Sequence, residues 1–373
     1  MSDDSILEAL DALKQHGGNK TAAAKSLNMN RSRFRRLLIR AAAYGMDGSV
    51  PKPLPPGMRV KKTSTLYDAQ TGEAKLVWVG AVAESNHDAL MEAIDGAFDA
   101  YKGHSALPPP PSYIDADLLA LYPLADFHLG LYAWGEEAGQ DWDVDKACDC
   151  LRRVMAELVA TTPPAETAII LNLGDFFHAD NASAETTKGT RVDVDTRYAR
   201  VLTFGVQLMI ETVELALQRH QRVVLRNLPG NHDRHSSIAL TAAMGAFFHN
   251  NPRVVIDASP AALWTYHFGE TLLGAGHGDE LKKPEKMALW LLGTAVAAGI
   301  SAKYLYFHYG HLHSAGLEEH GGVSVERHRT LAANDAWTAG MGFISGRTMS
   351  SRTYHRTKGE HDRRIVNIPH WTA

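Results

Sequence analysis

Cysteine is nearly absent from this chain of 373 residues: there are two, Cys148 and Cys150. A Cys-x-Cys pair is too close to staple a fold and lacks the two further partners a zinc site would need. That scarcity points to a reducing compartment, the cytoplasm. No apolar run approaches the roughly 18 residues of a membrane span, and the opening residues are acidic rather than basic, unlike a secretory leader. We therefore expect no membrane partner. Charge of one sign is also missing, with 38 Lys and Arg against 42 Asp and Glu. Overall charge thus gives no reason to expect a polyanionic ligand. Apolar content of 45% and charged content of 21% are those of an ordinary globular protein. The length accommodates one large α/β domain plus something smaller.

Histidine is plentiful, with 19 copies, and about a third of them fall in five short polar clusters. The central one is Leu171-Asn172-Leu173-Gly174-Asp175-Phe176-Phe177-His178, an apolar run that ends abruptly in Gly-Asp. This is the pattern of a buried strand delivering a carboxylate at its C-terminal tip. Around it, in order, lie Asp126-Phe127-His128, Gly230-Asn231-His232-Asp233, Gly276-His277-Gly278-Asp279 and Gly310-His311-Leu312-His313. Asp, Asn and His are hard or borderline donors suited to manganese, iron or zinc, and no thiolate accompanies them. The constellation reads as a two-metal hydrolase site.

The chain begins with a separate helical pattern. Ile6, Leu7, Leu10 and Leu13 recur at helical spacing, and Gly17-Gly18-Asn19 stops that helix. A short helix over 21–27, a turn at Asn28-Met29-Asn30 and a third helix over 32–43 follow. Phe34, Leu37 and Leu38 should form the inner face of the third helix. The run from Gly18 to Arg31 resembles the Fis-type helix-turn-helix family, which implies DNA as a partner and allows a homodimer. Between residues 12 and 46 there are eight basic residues and no acidic one, a local excess that favours a polyanion. In such a fold the third helix enters the major groove, so Arg31, Ser32, Arg33 and Arg36 are the candidate DNA contacts.

We expect the helix-turn-helix domain to occupy residues 1–46 and a Pro-rich tether 47–62. A small unit over 63–104 should combine a hairpin with an amphipathic helix at about 88–101. A second Pro-rich tether covers 105–114, and the rest, 115–373, is the catalytic domain. Within it, apolar runs at 118–124, 168–173, 222–228, 271–275 and 303–307 read as buried strands. Helical patterns at 145–160, 198–220 and 284–298 fit between them. Such alternation implies an α/β domain with helices packed outside the sheets. Each polar cluster falls just past a strand, where open α/β sheets place their sites.

The five clusters, in this order, resemble the calcineurin-like metallophosphoesterase superfamily over residues 118–320. The resemblance implies a layered α/β sandwich and hydrolysis of a phosphate ester by a hydroxide held between two divalent cations. Manganese is the expected ion, with iron or zinc as alternatives. It also implies Asp175 as the bridging ligand, with Asp126, His128 and His313 completing one ion and Asn231, His277 and His311 the other. His232 would protonate the leaving oxygen. Where the protein-phosphatase branch has an aspartate three residues after the bridging Asp, this chain has His178, as the double-strand-break-repair exonucleases do. His178 is therefore counted with His232 as a catalytic candidate, and a DNA phosphodiester becomes the expected substrate. The alternatives are a phosphomonoester or phosphoprotein substrate, and a non-enzymatic DNA-binding regulator.

Other polar residues read more plainly. His308 should be a half-buried strand residue, and His235 either touches phosphate or sits on a loop surface. Asp233 and Asp279 should orient neighbouring imidazoles. Between Glu326 and Arg364, eight basic residues outnumber four acids, which reads either as a phosphate-tracking surface or as a solvated tail.

Overall fold

The computed structural model describes residues 3–43, 58–67, 74–83, 108–342 and 345–368. The chain separates into two compact units, Met1–His87 and Asp88–Ala373. The expected amphipathic helix over 88–101 lies outside the described residues, as do 47–57 of the first Pro-rich tether and 105–107 of the second.

In the first unit three helices, α1 (Asp3–Gln15), α2 (Lys20–Ser26) and α3 (Arg31–Ala43), enclose a small core. Ile6, Ala9 and Ala12 meet Ala23 and Ala24 and, from α3, Phe34, Leu37 and Ala41. Alanines at these contacts let the short helices approach closely. Asn19 caps α2 by accepting from the Thr21 and Ala22 amides, and Asn30 caps α3 by accepting from Arg33 N at 2.8 Å. Between them Asn28 takes a left-handed conformation (φ 51°) that closes the turn. Strands β1 (Met58–Tyr67) and β2 (Ala74–Ala83) pair antiparallel.

The second unit is built on two sheets. The first has six strands in the order β13-β12-β3-β4-β5-β6, comprising β3 (Asp115–Leu124), β4 (Ala165–Asn172), β5 (Arg222–Asn227), β6 (Val254–Asp257), β12 (Arg347–His355) and β13 (Gly359–Ile368). Strands β3 to β6 are parallel, and the β12–β13 hairpin adds antiparallel to β3. The second sheet has five strands in the order β10-β11-β9-β8-β7, from β7 (Trp264–Phe268), β8 (Thr271–Ala275), β9 (Tyr304–Tyr309), β10 (Gly316–His320) and β11 (Val323–Arg327).

The alternation of side chains along β3 sorts the layers. Leu118, Ala120, Tyr122 and Leu124 face α5 (Val144–Thr161) and α6 (Tyr198–Leu217) in the largest core, which also takes in α7 (Arg234–Phe247). Leu119 and Leu121 face the other way, meeting Trp264, Leu273 and Ala275 of the second sheet. Helix α8 (Pro284–Ala297) covers the outer face of that second sheet through Met287, Ala288 and Leu291. The result is a four-layer α/β/β/α sandwich with its parallel strands buried on both sides. Two short helices, α4 (Gly135–Ala138) and α9 (Ala336–Gly340), pack against each other.

The basic C-terminal stretch is neither a solvated tail nor an open phosphate track. Six of its eight basic residues lie on the β12–β13 hairpin, and five of those six are already engaged. Arg352 and Arg363 both bond Glu326, Arg356 lies against Asp117, Arg364 against Asp362, and Arg347 is buried over the Trp142 ring. Among the described residues, no helix is long and apolar enough to cross a membrane.

Candidate metal centre

The loops leaving β3, β4, β5, β8 and β9 bring seven donor residues together. Past β3 and β4 the chains keep pairing, with His128 N donating to Asp175 O at 2.9 Å and Leu129 N to Phe176 O at 2.7 Å. Past β8 and β9, Gly310 N donates to His277 O at 2.9 Å. Asp126, His128, Asp175, His311 and His313 all have φ between 48° and 69°. Left-handed backbone is costly for such residues and persists only where surroundings enforce it. Here it turns the five side chains out of the sheet direction.

Two groups of donors result. Asp126, His128 and His313 form one, with His128 Nε2 and His313 Nε2 3.0 Å apart and His313 Nε2 3.7 Å from Asp126 Oδ1. Asp175, His277 and His311 form the other. Asn231 joins the second group, its Oδ1 lying 3.1 Å from His277 Nε2. Glycines make room for this convergence. A Cβ on Gly230 would run into the Asp175 carboxylate, and one on Gly310 into that of Asp126.

The electrostatics call for cations. His277 Nδ1 donates to the Leu173 carbonyl at 2.9 Å, so its Nε2 is left facing two acceptors, Asn231 Oδ1 and Asp175 Oδ2 at 3.2 Å. Without a metal that contact needs a proton. Burial works against the imidazolium, yet the Asp175 charge pushes the His277 pKa up to about 10. Burial would likewise raise Asp175, but the His277 charge holds it far below the usual carboxylate range. Asp126 is driven up to about 7 by burial and by the Asp175 charge, despite His277. Burial also pushes His313 down to about 4 and lowers His128 and His311, which leaves their lone pairs available. Buried carboxylates beside neutral imidazoles are the donor set for divalent cations.

His232 sits beside this centre. Its backbone N–H donates to Asp175 Oδ1 at 2.7 Å, and its Nδ1 donates to the His178 carbonyl at 2.8 Å. The His178 ring lies near that of His232, 5.4 Å between centroids, and its Nδ1 is 3.2 Å from His128 Nδ1. His178 Nε2 is buried without a partner. On α3, Arg31, Ser32, Arg33 and Arg36 are all exposed while Phe34 and Leu37 face inward.

Three sequence expectations need correction. Asp233 orients no imidazole; it accepts from the amides of Asp175 (3.2 Å), Phe177 (3.1 Å) and Gly230 (3.0 Å), tying two ligand loops together. Asp279 pairs with Arg234 at 3.2 Å, and the same guanidinium nitrogen reaches Glu280 at 3.0 Å. His308 is fully buried, its ring nitrogens bonded to His328 Nε2 at 3.0 Å and the Tyr354 hydroxyl at 2.9 Å. His235 is exposed and pairs with Asp180 at 2.8 Å. Thr330, which donates to the Asp126 carbonyl, carries no motif that would have singled it out.

The model of the bacterial regulatory protein Fis family matches residues 10–38. No curated protein matches the chain. Similar solved structures include a novel archaeal phosphodiesterase, 15% identical over 67% of this chain and 99% of that one, with a TM-score of 0.35. A predicted phosphoesterase from Streptococcus pneumoniae is 12% identical over 68% of this chain and 100% of its own, with a TM-score of 0.29. Vacuolar Protein Sorting 29 from Cryptosporidium parvum is 13% identical over 67% and 98%, with a TM-score of 0.32.

Proposed function

We propose that the larger unit is a metal-dependent phosphodiesterase acting on DNA, with the helix-turn-helix as its DNA-binding partner. One observation carries this reading: seven donor residues from five separate strand ends converge, with buried acceptors facing one another. Asp126, His128, Asp175 and His313 would hold one divalent cation; Asp175, Asn231, His277 and His311 would hold the other, Asp175 being common to both. Bound there, the cations would lower the pKa of water and spread the charge that builds on the phosphoryl oxygens. Manganese, iron and zinc all suit the donor set.

The chain's own residues supply the rest. His232 Nδ1 is tied to the His178 carbonyl, so Nε2 is the nitrogen free to face the leaving oxygen, and it has a proton to give when the ring is an imidazolium. His178 acts through its neighbours, its carbonyl fixing His232 and its ring fixing His128. Asp233 holds the Asp175 and Gly230 turns in register. Exposed Arg31, Ser32, Arg33 and Arg36 give α3 a DNA-facing side, and a tethered DNA site raises the local concentration of substrate at the centre.

Hydrolysis of bis-aryl against mono-aryl phosphate, with manganese supplied, tests the substrate class. A diesterase prefers the bis-aryl ester. Preference for the monoester would keep the metal site and move the substrate to phosphomonoesters.

A further inference from the structure

Exposed apolar side chains are common singly and need no explanation. On the chain segments next to the ligand residues they are not single. The extended segment that leaves His128 alternates sharply: Leu131 and Ala133 are buried, whereas Tyr132 and Trp134 are 45% and 51% exposed. Isolated bridges from Leu131 to Val194 and from Ala133 to Trp142 hold this segment straight, so Tyr132 and Trp134 share its outward face. Trp134 leads directly into α4, and α9 packs against α4. On α9 and just beyond it, Trp337 and Met341 are 66% and 61% exposed and, four residues apart, share one helical face.

That second segment is tied to the centre at one end. At its start Asp335 caps α9 through Thr338. At the far end, Ser345 Oγ donates to the His313 carbonyl at 2.8 Å. Between the two ligands His311 and His313, Leu312 is also exposed. Trp134 and Trp337 are the exposed tryptophans among the described residues.

We propose that Tyr132, Trp134, Leu312, Trp337 and Met341 form a stacking rim for unpaired nucleobases flanking the scissile phosphate, so that the preferred substrate is a single strand or a frayed end. This rests on the phosphodiesterase reading above. A phosphodiester held at the centre carries a base on either side of it. In a duplex those bases are stacked inward and their faces are unavailable; in a single strand the faces are free, and flat aromatic side chains bind them without regard to sequence. The rim is apolar while the centre takes the charge, which is the division of labour a polynucleotide presents.

The test uses the full-length, manganese-loaded protein with three substrates: bis(p-nitrophenyl) phosphate, an oligothymidylate, and an oligonucleotide of the same length made of abasic units. The variants are Trp134→Ala/Trp337→Ala and Trp134→Phe/Trp337→Phe, all at exposed positions. The alanine pair should raise KM for oligothymidylate about tenfold to a hundredfold. It should leave kcat for the bis-aryl ester unchanged and make no difference on the abasic strand, and the phenylalanine pair should stay near wild type. An unchanged KM for oligothymidylate in the alanine pair overturns the rim, as does an equal loss on the abasic strand. Wild-type protein that hydrolyses neither diester overturns the parent reading, and the rim with it.

Discussion

The backbone N–H of His232 donates to Asp175 Oδ1 at 2.7 Å. The residue proposed to protonate the leaving group thus hangs from the carboxylate proposed to join the two cations. Their fates should still separate under mutation, because one contributes a side-chain charge and the other a ring.

Asp175→Asn keeps the shape of the site and removes the buried charge that both cations would share. Turnover of the bis-aryl ester should be lost and bound metal should fall below two ions. Metal analysis alongside the rate checks this. Near-normal turnover with two ions bound would refute the assignment.

His232→Ala removes the Nε2 proton and leaves every proposed ligand in place. Metal content should be unchanged while kcat drops about 10²- to 10⁴-fold. If the variant loses a metal ion instead, His232 is itself a ligand, for which its closeness to His128 and His178 provides the geometry.

Gly230→Ala tests how tightly the loops are packed. An added Cβ has no room beside the Asp175 carboxylate and amide, so one of the two ligand loops must shift. A displacement of about 1 Å is enough to cost about a hundredfold in rate. Activity within threefold of wild type would mean that the turn is looser than described.

A separate buried network should govern acid stability. Burial pushes the His328 pKa from 6.5 down to about 4, so its ring stays neutral in the fold. The unfolded chain therefore binds a proton in that window that the native protein refuses, and stability falls as pH drops from 6.5 towards 4. Burial would raise the neighbouring Glu326, but His328 and the Arg352 guanidinium hold it near 2. Its contribution is complete above 4.5 and is lost as pH falls from there towards 2. Urea titrations from pH 7 to 4 should show His328→Gln with a shallower slope than wild type, by about one proton. Parallel slopes would contradict this.

Much of the centre was legible because buried parallel strands announce themselves as apolar runs, and the polar residue ending each run marks its C-terminal tip. That logic located Asp126, Asp175, Asn231, His277 and His311 without the fold. The helix-turn-helix was legible for a similar reason, since Gly17-Gly18-Asn19 and Asn28-Met29-Asn30 punctuate helical spacing. What stayed hidden depends on long-range contact. Nothing local says that β12, more than 220 residues after β3, pairs with it as Arg352 does with Leu121. Nor could charge counting reveal that Arg352 and Arg363 are spent on Glu326. Asp233 was misread because its partners are backbone amides, which leave no mark in a sequence.

The most direct measurement is cleavage of an end-labelled linear DNA, as duplex and as single strand, with manganese, beside Asp175→Asn. Metal-dependent cleavage should be faster on the single strand and absent in the variant. No cleavage of either form, with brisk hydrolysis of a mono-aryl phosphate under the same conditions, would contradict this.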